Sequence, residues 1–444
     1  MKLRIDKEIY GGDGLARVQE GGDAGRAVAV PYCLAGELVD AELLPSRKPL
    51  ADALLRQIIE PSPARVTPAC VHFGECGGCQ YQHAEYSQQL AMKQAILAET
   101  LVRAGVKSLP AIEVHSAEPW GYRNRIRLHV RTHNGKVRLG YKRRSSNEFL
   151  PVVECPIASP LLWQAAKAAL GVEAASNTRG VLRAGRELEL FCNHDESEVQ
   201  LTIFAADSVS PEDFSTWCNA LASQVPQLRG AGIETVATEV RKKSALLAAA
   251  VTWGSELMDY VAAGRTYSIS RGAFFQVNRF LVDELVSLVT KNRTGGETWD
   301  LYAGAGLFSK ALAERFVRVI AVESALPAAA DLQRMLTSAG TAHRALAIPV
   351  LEFLKSHAGR KKIVPPDLVV ADPPRAGLGA DVCAALGVIA APQMVYVSCD
   401  PTTLARDLAT LIESGYQVTQ LHMIDLFPQT FHLETIAVLQ HRTA

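Results

Sequence analysis

The sequence lacks any apolar run long enough to cross a membrane. About 18 consecutive apolar residues are needed, and the longest candidate, residues 245–253, has about half that number. The first residues, 1–6, lack the apolar core of a secretion signal. An excess of positive charge is also missing, because 46 basic and 46 acidic side chains give a net charge of zero. We therefore expect a soluble, cytoplasmic protein without a membrane partner, in which any nucleic-acid surface is local.

The composition gives no sign of global disorder. Hydrophobic residues make up 48% of the chain and charged residues 21%, which is typical of a globular protein with more than one core. At roughly 100–200 residues per domain, 444 residues correspond to two to four domains. A Pro-Ser-Pro sequence at residues 61–63 marks one boundary, and a clear α/β pattern begins at Arg271. We predict three domains, over residues 1–60, 61–265 and 266–444.

The nine cysteines are not expected to form a disulfide framework, since the number is odd and the chain shows no export signal. Cys70, Cys76 and Cys79 lie close together, and Cys155 follows 76 residues later. Zinc sites favour paired cysteines, whereas a five-then-two spacing with a distant fourth thiolate suits an iron–sulfur cluster. These four cysteines are therefore candidate ligands of a [4Fe–4S] cluster or of a structural zinc ion.

The first two domains differ in their predicted secondary structure. Residues 1–60 are predicted to form a small β-barrel, because short apolar runs such as 26–30 are separated by glycine turns. The second domain is predicted to be α+β, with a helix over residues 85–102 that Gly105 terminates. We expect the segment 85–105 to pack on the third domain.

The third domain is predicted to be a mostly parallel, doubly wound α/β sheet of the Rossmann-like type, because its strands alternate with helices. The predicted strands are 298–302, 317–323, 367–371, 394–398, 416–426 and 435–440. A helix over residues 307–316 is expected after the first strand, and the last two strands are expected to pair antiparallel.

Residues 121–147 contain nine Lys or Arg residues and no acidic residue. Cationic and apolar side chains alternate at the start of this stretch, which predicts a strand with one face of each kind, followed by a hairpin turn at Asn134-Gly135. The cationic positions are Arg123, Arg125, Arg127, His129 and Arg131. Such a face could bind nucleic-acid phosphates by displacing counterions, or it could be ordinary solvated surface. The sequence alone leaves both open.

A glycine turn joins the first strand of the third domain to its helix. In Asp300-Leu-Tyr-Ala-Gly304-Ala-Gly306 the glycines let the backbone turn tightly near a ligand, at the carboxyl end of a strand where such sheets bind cofactors. Glu323 ends the next predicted strand, where a carboxylate can accept hydrogen bonds from ribose hydroxyls. Ser309 stands at the third glycine position of the nicotinamide fingerprint, which is therefore incomplete. The turn fits an S-adenosylmethionine site or a nicotinamide site.

Three further motifs lie at predicted strand ends. Asp372-Pro-Pro-Arg375 is similar to a motif of adenine amino methyltransferases, but Arg375 stands where those enzymes carry a stacking aromatic residue. Cys399 emerges from a strand's carboxyl end, where a nucleophile belongs in this architecture, although a single cysteine is often buried and inert. Glu434 precedes the last strand and would alone be an ordinary loop glutamate.

In combination, five motifs resemble those of the RNA uracil-C5 methyltransferases that use S-adenosylmethionine. They are Phe275-Gln-Val-Asn278, Asp300 to Gly306, Asp372 to Arg375, Ser398-Cys-Asp-Pro401 and Phe427 to Glu434. The N-terminal half is similar to the bacterial 23S ribosomal-RNA members, which carry an RNA-binding TRAM barrel and a [4Fe–4S] cluster. We therefore expect the barrel of residues 1–60 and the central domain of residues 61–265 to bind RNA. The resemblance implies a class I methyltransferase domain, an RNA partner that is most simply 23S rRNA, and a monomer.

The resemblance also implies the chemistry and the site. Uracil C5 is a poor nucleophile, and a thiolate that adds to C6 turns it into an enolate able to attack a sulfonium methyl. A general base must then remove the C5 proton. By resemblance Cys399 is the nucleophile and Glu434 is the base. The same resemblance assigns cofactor contacts to Gln276, Tyr302, Glu323 and Asp372, and the glycine turn adds Gly304 and Gly306. The charge pattern makes Arg123, Arg125, Arg127 and Arg131 the residues expected to bind RNA.

Four other functions fit the sequence less well. A transfer-RNA uridine could be the substrate, but the bacterial transfer-RNA branch typically lacks the barrel and the cluster. Cytosine-C5 enzymes place a cysteine after the Asp-Pro-Pro motif, and Arg375 and its neighbours offer none. A non-catalytic RNA-binding protein would need neither Cys399 nor Glu434. A nicotinamide-dependent oxidoreductase is disfavoured by the incomplete glycine fingerprint.

Overall fold

The computed structural model describes residues 1–21, 23–45, 48–107, 109–175, 180–205, 207–235, 251–360 and 362–442. Residues 236–250 of the predicted second domain lie outside these ranges, and so does most of the apolar run at 245–253. Within the described ranges, no helix combines the length and the apolar character needed to span a bilayer.

The N-terminal strands close into the predicted barrel. Its strands are β1 Lys2–Ile9, β2 Asp13–Arg17, β3 Ala27–Pro31, β4 Leu38–Leu43 and β5 Leu50–Glu60, joined in the order β1-β2-β3-β5-β4. Exposed and buried residues alternate along β1, where Leu3 and Ile5 point into the barrel and are almost fully buried. The barrel core is small and aliphatic, with Val28, Val30 and Val39 at its centre.

A seven-stranded sheet with two helices on it follows. The elements of this region are α1 Tyr86–Arg103, β6 Ile112–His115, β7 Arg125–His133, β8 Lys136–Lys142, β9 Phe149–Pro151, α2 Pro160–Ala175, β10 Gly185–Cys192, β11 Val199–Ala205, α3 Pro211–Gln224, β12 Leu228–Thr235 and β13 Val251–Gly254. The strand order is β13-β12-β11-β10-β7-β8-β9. The predicted hairpin is confirmed, since β7 and β8 pair antiparallel around Asn134 and Gly135.

The C-terminal region is the predicted doubly wound α/β sheet. Its elements are β14 Leu257–Ala262, β15 Arg265–Ser270, α4 Val282–Thr290, β16 Gly295–Leu301, α5 Leu307–Ala313, β17 Phe316–Val322, α6 Leu326–Ala339, β18 Arg344–Leu346, α7 Val350–Ala358, β19 Leu368–Ala371, α8 Ala380–Ile389, β20 Gln393–Ser398, α9 Pro401–Glu413, β21 Tyr416–Ile424 and β22 Glu434–His441. The large sheet has the order β18-β17-β16-β19-β20-β22-β21-β6. As predicted, β21 and β22 pair antiparallel.

The parallel strands of this sheet deliver the candidate residues to one edge. Tyr302 directly follows β16, Glu323 follows β17, Asp372 follows β19 and Cys399 follows β20. Glu434 is the first residue of β22, which runs antiparallel to β20 and therefore starts at the same edge. The order of the strands thus brings together residues that are far apart in the sequence.

Helix α1 and strand β6 pack with the C-terminal sheet although they precede the seven-stranded sheet in the chain. Ile96, Leu97 and Leu101 of α1 share a core with apolar residues of the large sheet, and β6 extends that sheet beside β21. A buried ion pair adds to this contact, because the ammonium of Lys93 lies 2.6 Å from Asp425 Oδ1.

Candidate active site

A cavity of about 650 Å³ opens at the carboxyl edge of the large sheet. Seven of the residues predicted from the sequence line it: Gln276, Tyr302, Gly304, Glu323, Asp372, Cys399 and Glu434. Gly306 does not line the cavity. It begins helix α5 with φ of +93°, a left-handed conformation that favours glycine, and a Cβ there would meet the end of the Met335 side chain.

The glycine turn is shaped by Glu323. The Glu323 carboxylate accepts hydrogen bonds from the backbone N–H groups of Gly304 (3.0 Å) and Ala325 (2.6 Å), and therefore ties the two neighbouring strand ends together. Tyr302 has φ of +61°, a value that residues with a Cβ rarely adopt, and Gly304 has φ of +55°. The strained turn leaves its backbone open toward the cavity, as expected where a ligand approaches closely.

Cys399 is half-buried at the junction between β20 and α9. Asp400 caps α9, since its Oδ1 accepts from the N–H groups of Thr402 (2.9 Å) and Thr403 (3.0 Å), and this cap fixes the position of the preceding cysteine. Burial, and then the neighbouring acids Glu434 and Asp372, raise the pKa of Cys399 to about 11. The resting thiol is therefore protonated at neutral pH.

Two acidic side chains of the cavity, Glu434 and Asp372, also have raised pKa values. Burial, and then the charge of Asp372, raise the pKa of Glu434 well above its usual range. Burial, and then the charge of Asp300, raise the pKa of Asp372 to about 7. Buried carboxyl groups of this kind stay protonated until a cation or a reaction step favours the anion. The cavity is thus equipped to receive a cationic ligand and to exchange protons.

Arg375 and His432 also line the cavity, and neither was predicted as a site residue. Arg375 Nη2 lies 3.2 Å from His432 Nε2. Burial, and then the charge of Arg375, lower the pKa of His432 to about 3, so the imidazole is neutral and accepts a hydrogen bond from the guanidinium. Arg375 also favours the anionic forms of Cys399 and Glu434.

The barrel reaches this site through Tyr10. Tyr10, which follows β1, donates a hydrogen bond from its hydroxyl to Asp400 Oδ2 (3.2 Å) and packs edge-on against Phe431, with 5.4 Å between the ring centroids. Sequence patterns do not indicate this contact, because Tyr10 and Asp400 are 390 residues apart in the chain.

Comparisons with known proteins agree with this geometry. The family model for tRNA (uracil-5-)-methyltransferases matches residues 352–442, which include Asp372, Cys399 and Glu434. An uncharacterized RNA methyltransferase of Aquifex aeolicus is 30% identical over 99% of this chain and 98% of its own length. The 23S rRNA (uracil(1939)-C(5))-methyltransferase RlmD of Halomonas elongata is also 30% identical, over 99% of this chain and 89% of its own length.

The chain belongs to the RNA uracil-C5 methyltransferase family.

The fold agrees with a solved structure. Pyrococcus abyssi tRNA (uracil-54, C5)-methyltransferase, in complex with S-adenosyl-L-homocysteine, matches with a TM-score of 0.74 at 22% identity, over 99% of this chain and 100% of that chain. The family assignment makes this protein an S-adenosylmethionine-dependent enzyme that methylates uracil C5 in RNA. It leaves no support for a nicotinamide-dependent oxidoreductase.

The four candidate metal ligands of the methyltransferase line a second cavity, of about 700 Å³. Burial raises the pKa of all four thiols, to about 12 for Cys79. The thiolates therefore need a compensating positive charge, such as a metal group supplies. Donors already point at the sulfurs: Tyr141 Oη lies 3.7 Å from Cys155 Sγ, and the Gly78 N–H lies 3.4 Å from Cys76 Sγ. The donor set fits a metal group.

The spacing of the sulfurs bears on the kind of metal group. A zinc ion about 2.3 Å from each sulfur would bring the sulfurs within about 4 Å of one another. Among the described residues, no three of these sulfurs lie within 4.8 Å of each other, and the one His, Cys, Asp or Glu set that does is Glu113, His115 and His422. Those three side chains contact one another directly, with a hydrogen bond of 3.1 Å between the two imidazoles and an ion-pair distance of 3.3 Å from His422 Nδ1 to Glu113 Oε2.

The predicted RNA-binding arginines have different surroundings. Arg123 lines the cysteine cavity, and its Nε is buried without a hydrogen-bond partner in the described structure. Arg125 pairs with Glu189 (2.7 Å) and donates to the Ala273 carbonyl (2.7 Å), and Arg127 pairs with Glu187 (2.6 Å). Arg131 is exposed. The cationic face is thus partly neutralised by two glutamates of β10, which the stretch 121–147 could not reveal.

Proposed function

We propose that this methyltransferase transfers a methyl group to C5 of a specific uridine in 23S rRNA, with Cys399 as the nucleophile and Glu434 as the general base. One observation carries the proposal: Cys399 and Glu434 line the same cavity as the residues predicted to hold the cofactor. A nucleobase that enters this cavity can therefore meet the thiol, the carboxyl group and the methyl donor together.

The chain's own residues account for each step. Once deprotonated, Cys399 forms a bond from its sulfur to C6 of uracil, and the electron pair of the C5–C6 double bond moves into an enolate. C5 of the enolate then forms a bond to the methyl carbon of the donor, while the bond from that carbon to the sulfonium sulfur breaks and the sulfur keeps the electron pair as a neutral thioether. Glu434 removes the remaining C5 proton, the C5–C6 double bond forms again, and the bond between C6 and sulfur breaks to release the thiolate. Arg375 supports both anions, because its charge lowers the pKa of Cys399 and of Glu434.

The cofactor residues fit their role through polarity and shape. When bound, S-adenosylmethionine supplies an electrophilic methyl group on a positively charged sulfur. Glu323 would accept hydrogen bonds from ribose hydroxyls at the turn that it already shapes. The raised pKa of Asp372 favours the protonated carboxyl group in the empty cavity, and this group would become anionic beside the cationic sulfur. Tyr302 and Gln276 would enclose the cofactor from the two sides of the cavity.

The choice of 23S rRNA as substrate rests on the domains outside the methyltransferase sheet and on one relative. A barrel and a four-cysteine site accompany the sheet, as in the 23S ribosomal-RNA branch, and the relative from Halomonas elongata is named for a 23S rRNA uridine. A transfer-RNA uridine is the second candidate, because the matching family model and the Pyrococcus abyssi structure are named for tRNA.

The substrate test compares two RNAs. Purified enzyme is incubated with methyl-labelled S-adenosylmethionine and either unmodified 23S rRNA or a tRNA transcript, and labelled 5-methyluridine is mapped by mass spectrometry. We expect a single labelled uridine in 23S rRNA. Label in tRNA alone would reassign the substrate, and absence of 5-methyluridine from both would contradict the proposed function. Mapping of 23S rRNA from a deletion strain would identify the uridine in the cell.

We also propose that Cys70, Cys76, Cys79 and Cys155 bind a [4Fe–4S] cluster, which the sulfur spacing favours over one zinc ion. Protein purified without oxygen should be brown, with broad visible absorption that Cys76→Ser removes. Colourless protein with one equivalent of zinc would contradict the cluster. Cys33→Ser is the matched control, because Cys33 lies in the barrel core and its replacement should leave the colour unchanged.

A further inference from the structure

The loop that leads into Glu434 is held by groups outside the large sheet. Residues 425–433 connect β21 to β22, and we call them the base loop. Gln429, at its centre, is buried and has φ of +68°, a left-handed conformation that a residue with a Cβ adopts only under strain. A loop of this shape persists only if the surrounding structure holds it.

Two separate segments supply the contacts that hold Gln429. Its carbonyl oxygen accepts hydrogen bonds from the backbone N–H groups of Gln80 and Tyr81, both at 3.0 Å. The side chain of Gln89 on α1 makes a reciprocal pair: its Oε1 accepts from the Gln429 N–H (3.0 Å), and its Nε2 donates to Gln429 Oε1 (2.9 Å). Four hydrogen bonds therefore fix a single strained residue five positions before Glu434.

Gln80 connects the base loop to the cysteine site. It directly follows Cys79, and its Nε2 donates to the carbonyl oxygen of Gly77 (2.9 Å), which lies between Cys76 and Cys79. Its Oε1 accepts from the N–H of Phe431 at 3.4 Å. The same short segment, residues 76–81, thus carries two candidate metal ligands at one end and the contacts to the base loop at the other.

We propose that residues 76–81 and Gln89 form a clasp that positions the general base, and that the metal group on the four cysteines stabilises this clasp. Ligation of Cys76 and Cys79 would restrain the segment that presents the N–H groups of Gln80 and Tyr81. Loss of the metal group releases that segment, and Gln429 relaxes toward an unstrained conformation. This inference rests on the proposed role of Glu434, and it makes Gln80 and Gln89 positioning residues.

The structure also predicts which part of the base loop stays in place when the metal group is lost. The start of the base loop has independent anchors, since Lys93 Nζ donates to the Phe427 carbonyl (3.0 Å) and the Tyr122 hydroxyl donates to the Pro428 carbonyl (3.1 Å). Asp425 is held by Lys93 and by the Tyr86 hydroxyl (3.0 Å). We therefore expect residues 429–434 to loosen while residues 425–427 remain in place.

The first test follows hydrogen–deuterium exchange in the full-length protein before and after the metal is removed, and in Cys76→Ser. Peptides that cover residues 429–434 should exchange at least about tenfold faster without the metal, whereas peptides over residues 300–306 should not change. Unchanged exchange at 429–434 would overturn the clasp. This measurement needs no RNA and no turnover, so it stands apart from the proposed function.

The second test uses a matched pair on α1. Gln89→Leu removes the reciprocal pair with Gln429, and Gln88→Leu makes the same chemical change one residue earlier. In single-turnover reactions Gln89→Leu should slow release of the methylated RNA from Cys399 by about tenfold or more, so that a covalent methylated adduct accumulates. The affinity for S-adenosylhomocysteine should stay unchanged. Gln88→Leu should behave as wild type.

The outcomes separate the two proposals. If Gln89→Leu slows addition and release equally, or lowers cofactor affinity as much as turnover, the residue supports general stability and the clasp is overturned. If exchange at 429–434 rises as expected and Glu434→Gln accumulates the adduct but Gln89→Leu does not, the clasp holds the loop without positioning the base, which contradicts this inference. If neither variant accumulates the adduct, the proposed role of Glu434 fails instead. The conservative variant Gln89→Glu keeps the acceptor for the Gln429 N–H and should retain part of the release rate that Gln89→Leu loses.

Discussion

Three carboxyl groups with raised pKa values lie at or beside the active cavity, and we expect ligand binding to change their protonation. Burial raises the pKa of Asp300 and of Asp372 to about 7 and raises that of Glu434 well above its usual range. Asp300 receives a hydrogen bond from the Ser309 hydroxyl (2.5 Å) behind the glycine turn, whereas Asp372 and Glu434 face the cavity. A positively charged sulfonium would lower the pKa of the two cavity carboxyls, so binding should release protons.

The first prediction compares the pH dependence of two ligands. The affinity for S-adenosylmethionine should rise between pH 6 and pH 8, by up to about tenfold per pH unit for each proton released. S-adenosylhomocysteine is a neutral thioether, and its affinity should rise much less. Isothermal titration in buffers of different ionisation enthalpy measures both the affinity and the proton count. Equal slopes for the two ligands would contradict the placement of the sulfonium beside Asp372.

The second prediction concerns the stability of the cofactor-free enzyme. The pKa of Asp372 in the folded state, about 7, lies above its usual value, so the contribution of this carboxyl to stability is present at low pH and is lost as the pH rises through 7. Asp372→Asn should therefore raise the melting temperature most at pH 8 and progressively less toward pH 4, near the ordinary pKa of an aspartate, while it weakens cofactor binding. A lower melting temperature at pH 8 would show that the ionised carboxyl is stabilised in the fold.

At the scale of elements, the sequence was most informative about the strand ends. The apolar runs of β16, β17, β19 and β20 are short and clearly bounded, so their carboxyl ends could be predicted together with the polar residues that follow. Helix α1 was predicted equally well, from 85–102 against the observed Tyr86–Arg103. Local patterning is sufficient for these features because each depends on a single continuous segment.

Contacts between distant segments could not be predicted in this way. Arg125 and Arg127 were expected on an open cationic face, but β10 pairs with β7 and places Glu189 and Glu187 beside them. A Glu-x-Glu alternation in β10 was the available signal, although only the strand order reveals which strand it faces. The contacts of Tyr10 and Gln80 with the C-terminal residues carry no local pattern at all.

The third prediction separates the arginines of β7. Arg131→Ala should lower the slope of RNA affinity against salt by about one unit at most and leave the melting temperature unchanged, because Arg131 is exposed. Arg125→Ala should instead destabilise the protein by about 3 kcal/mol, since it leaves Glu189 buried without its partner. If Arg125→Ala weakens RNA binding at full stability, the guanidinium contacts RNA directly.

At the scale of the whole molecule, the barrel, the cysteine segment and the large sheet meet beside the residues proposed to be catalytic. Tyr10 contacts Asp400 and Phe431, and Gly12 lies against the side chain of Gln80. A Cβ on Gly12 would be 2.7 Å from Gln80 Cβ, so only glycine permits this approach. The barrel therefore helps to hold the proposed active site in place, and it is also a candidate RNA-binding unit.

The fourth prediction uses two neighbouring glycines of the barrel. Gly11 and Gly12 both have positive φ, +111° and +96°, but a Cβ on Gly11 would meet no atom within 4 Å. Gly11→Ala and Gly12→Ala should thus share the cost of backbone strain, and only Gly12→Ala should push the barrel away from Gln80. We expect the base loop to exchange hydrogen faster in Gly12→Ala alone. Equal exchange in the two variants would exclude this route of support.

We expect Cys399 and Glu434 to act at different steps, bond formation to C6 and removal of the C5 proton. Cys399→Ala should abolish methylation and leave no covalent RNA species, because no bond to C6 can form. Glu434→Gln keeps the thiol and the cofactor site, so addition and methyl transfer should proceed, but the C5 proton then has no base and the enzyme stays joined to the RNA. The glutamine is nearly isosteric, and a thermal melt run in parallel controls for folding.

The measurement that tests this most directly is a denaturing gel of Glu434→Gln after reaction with labelled S-adenosylmethionine and 23S rRNA. We predict a slowly migrating, protease-sensitive band that carries the methyl label and is absent from Cys399→Ala and from the double variant. Turnover of Glu434→Gln at the wild-type rate would mean that another group removes the proton. An inactive Glu434→Gln without any adduct would contradict the assignment of Glu434 as the base.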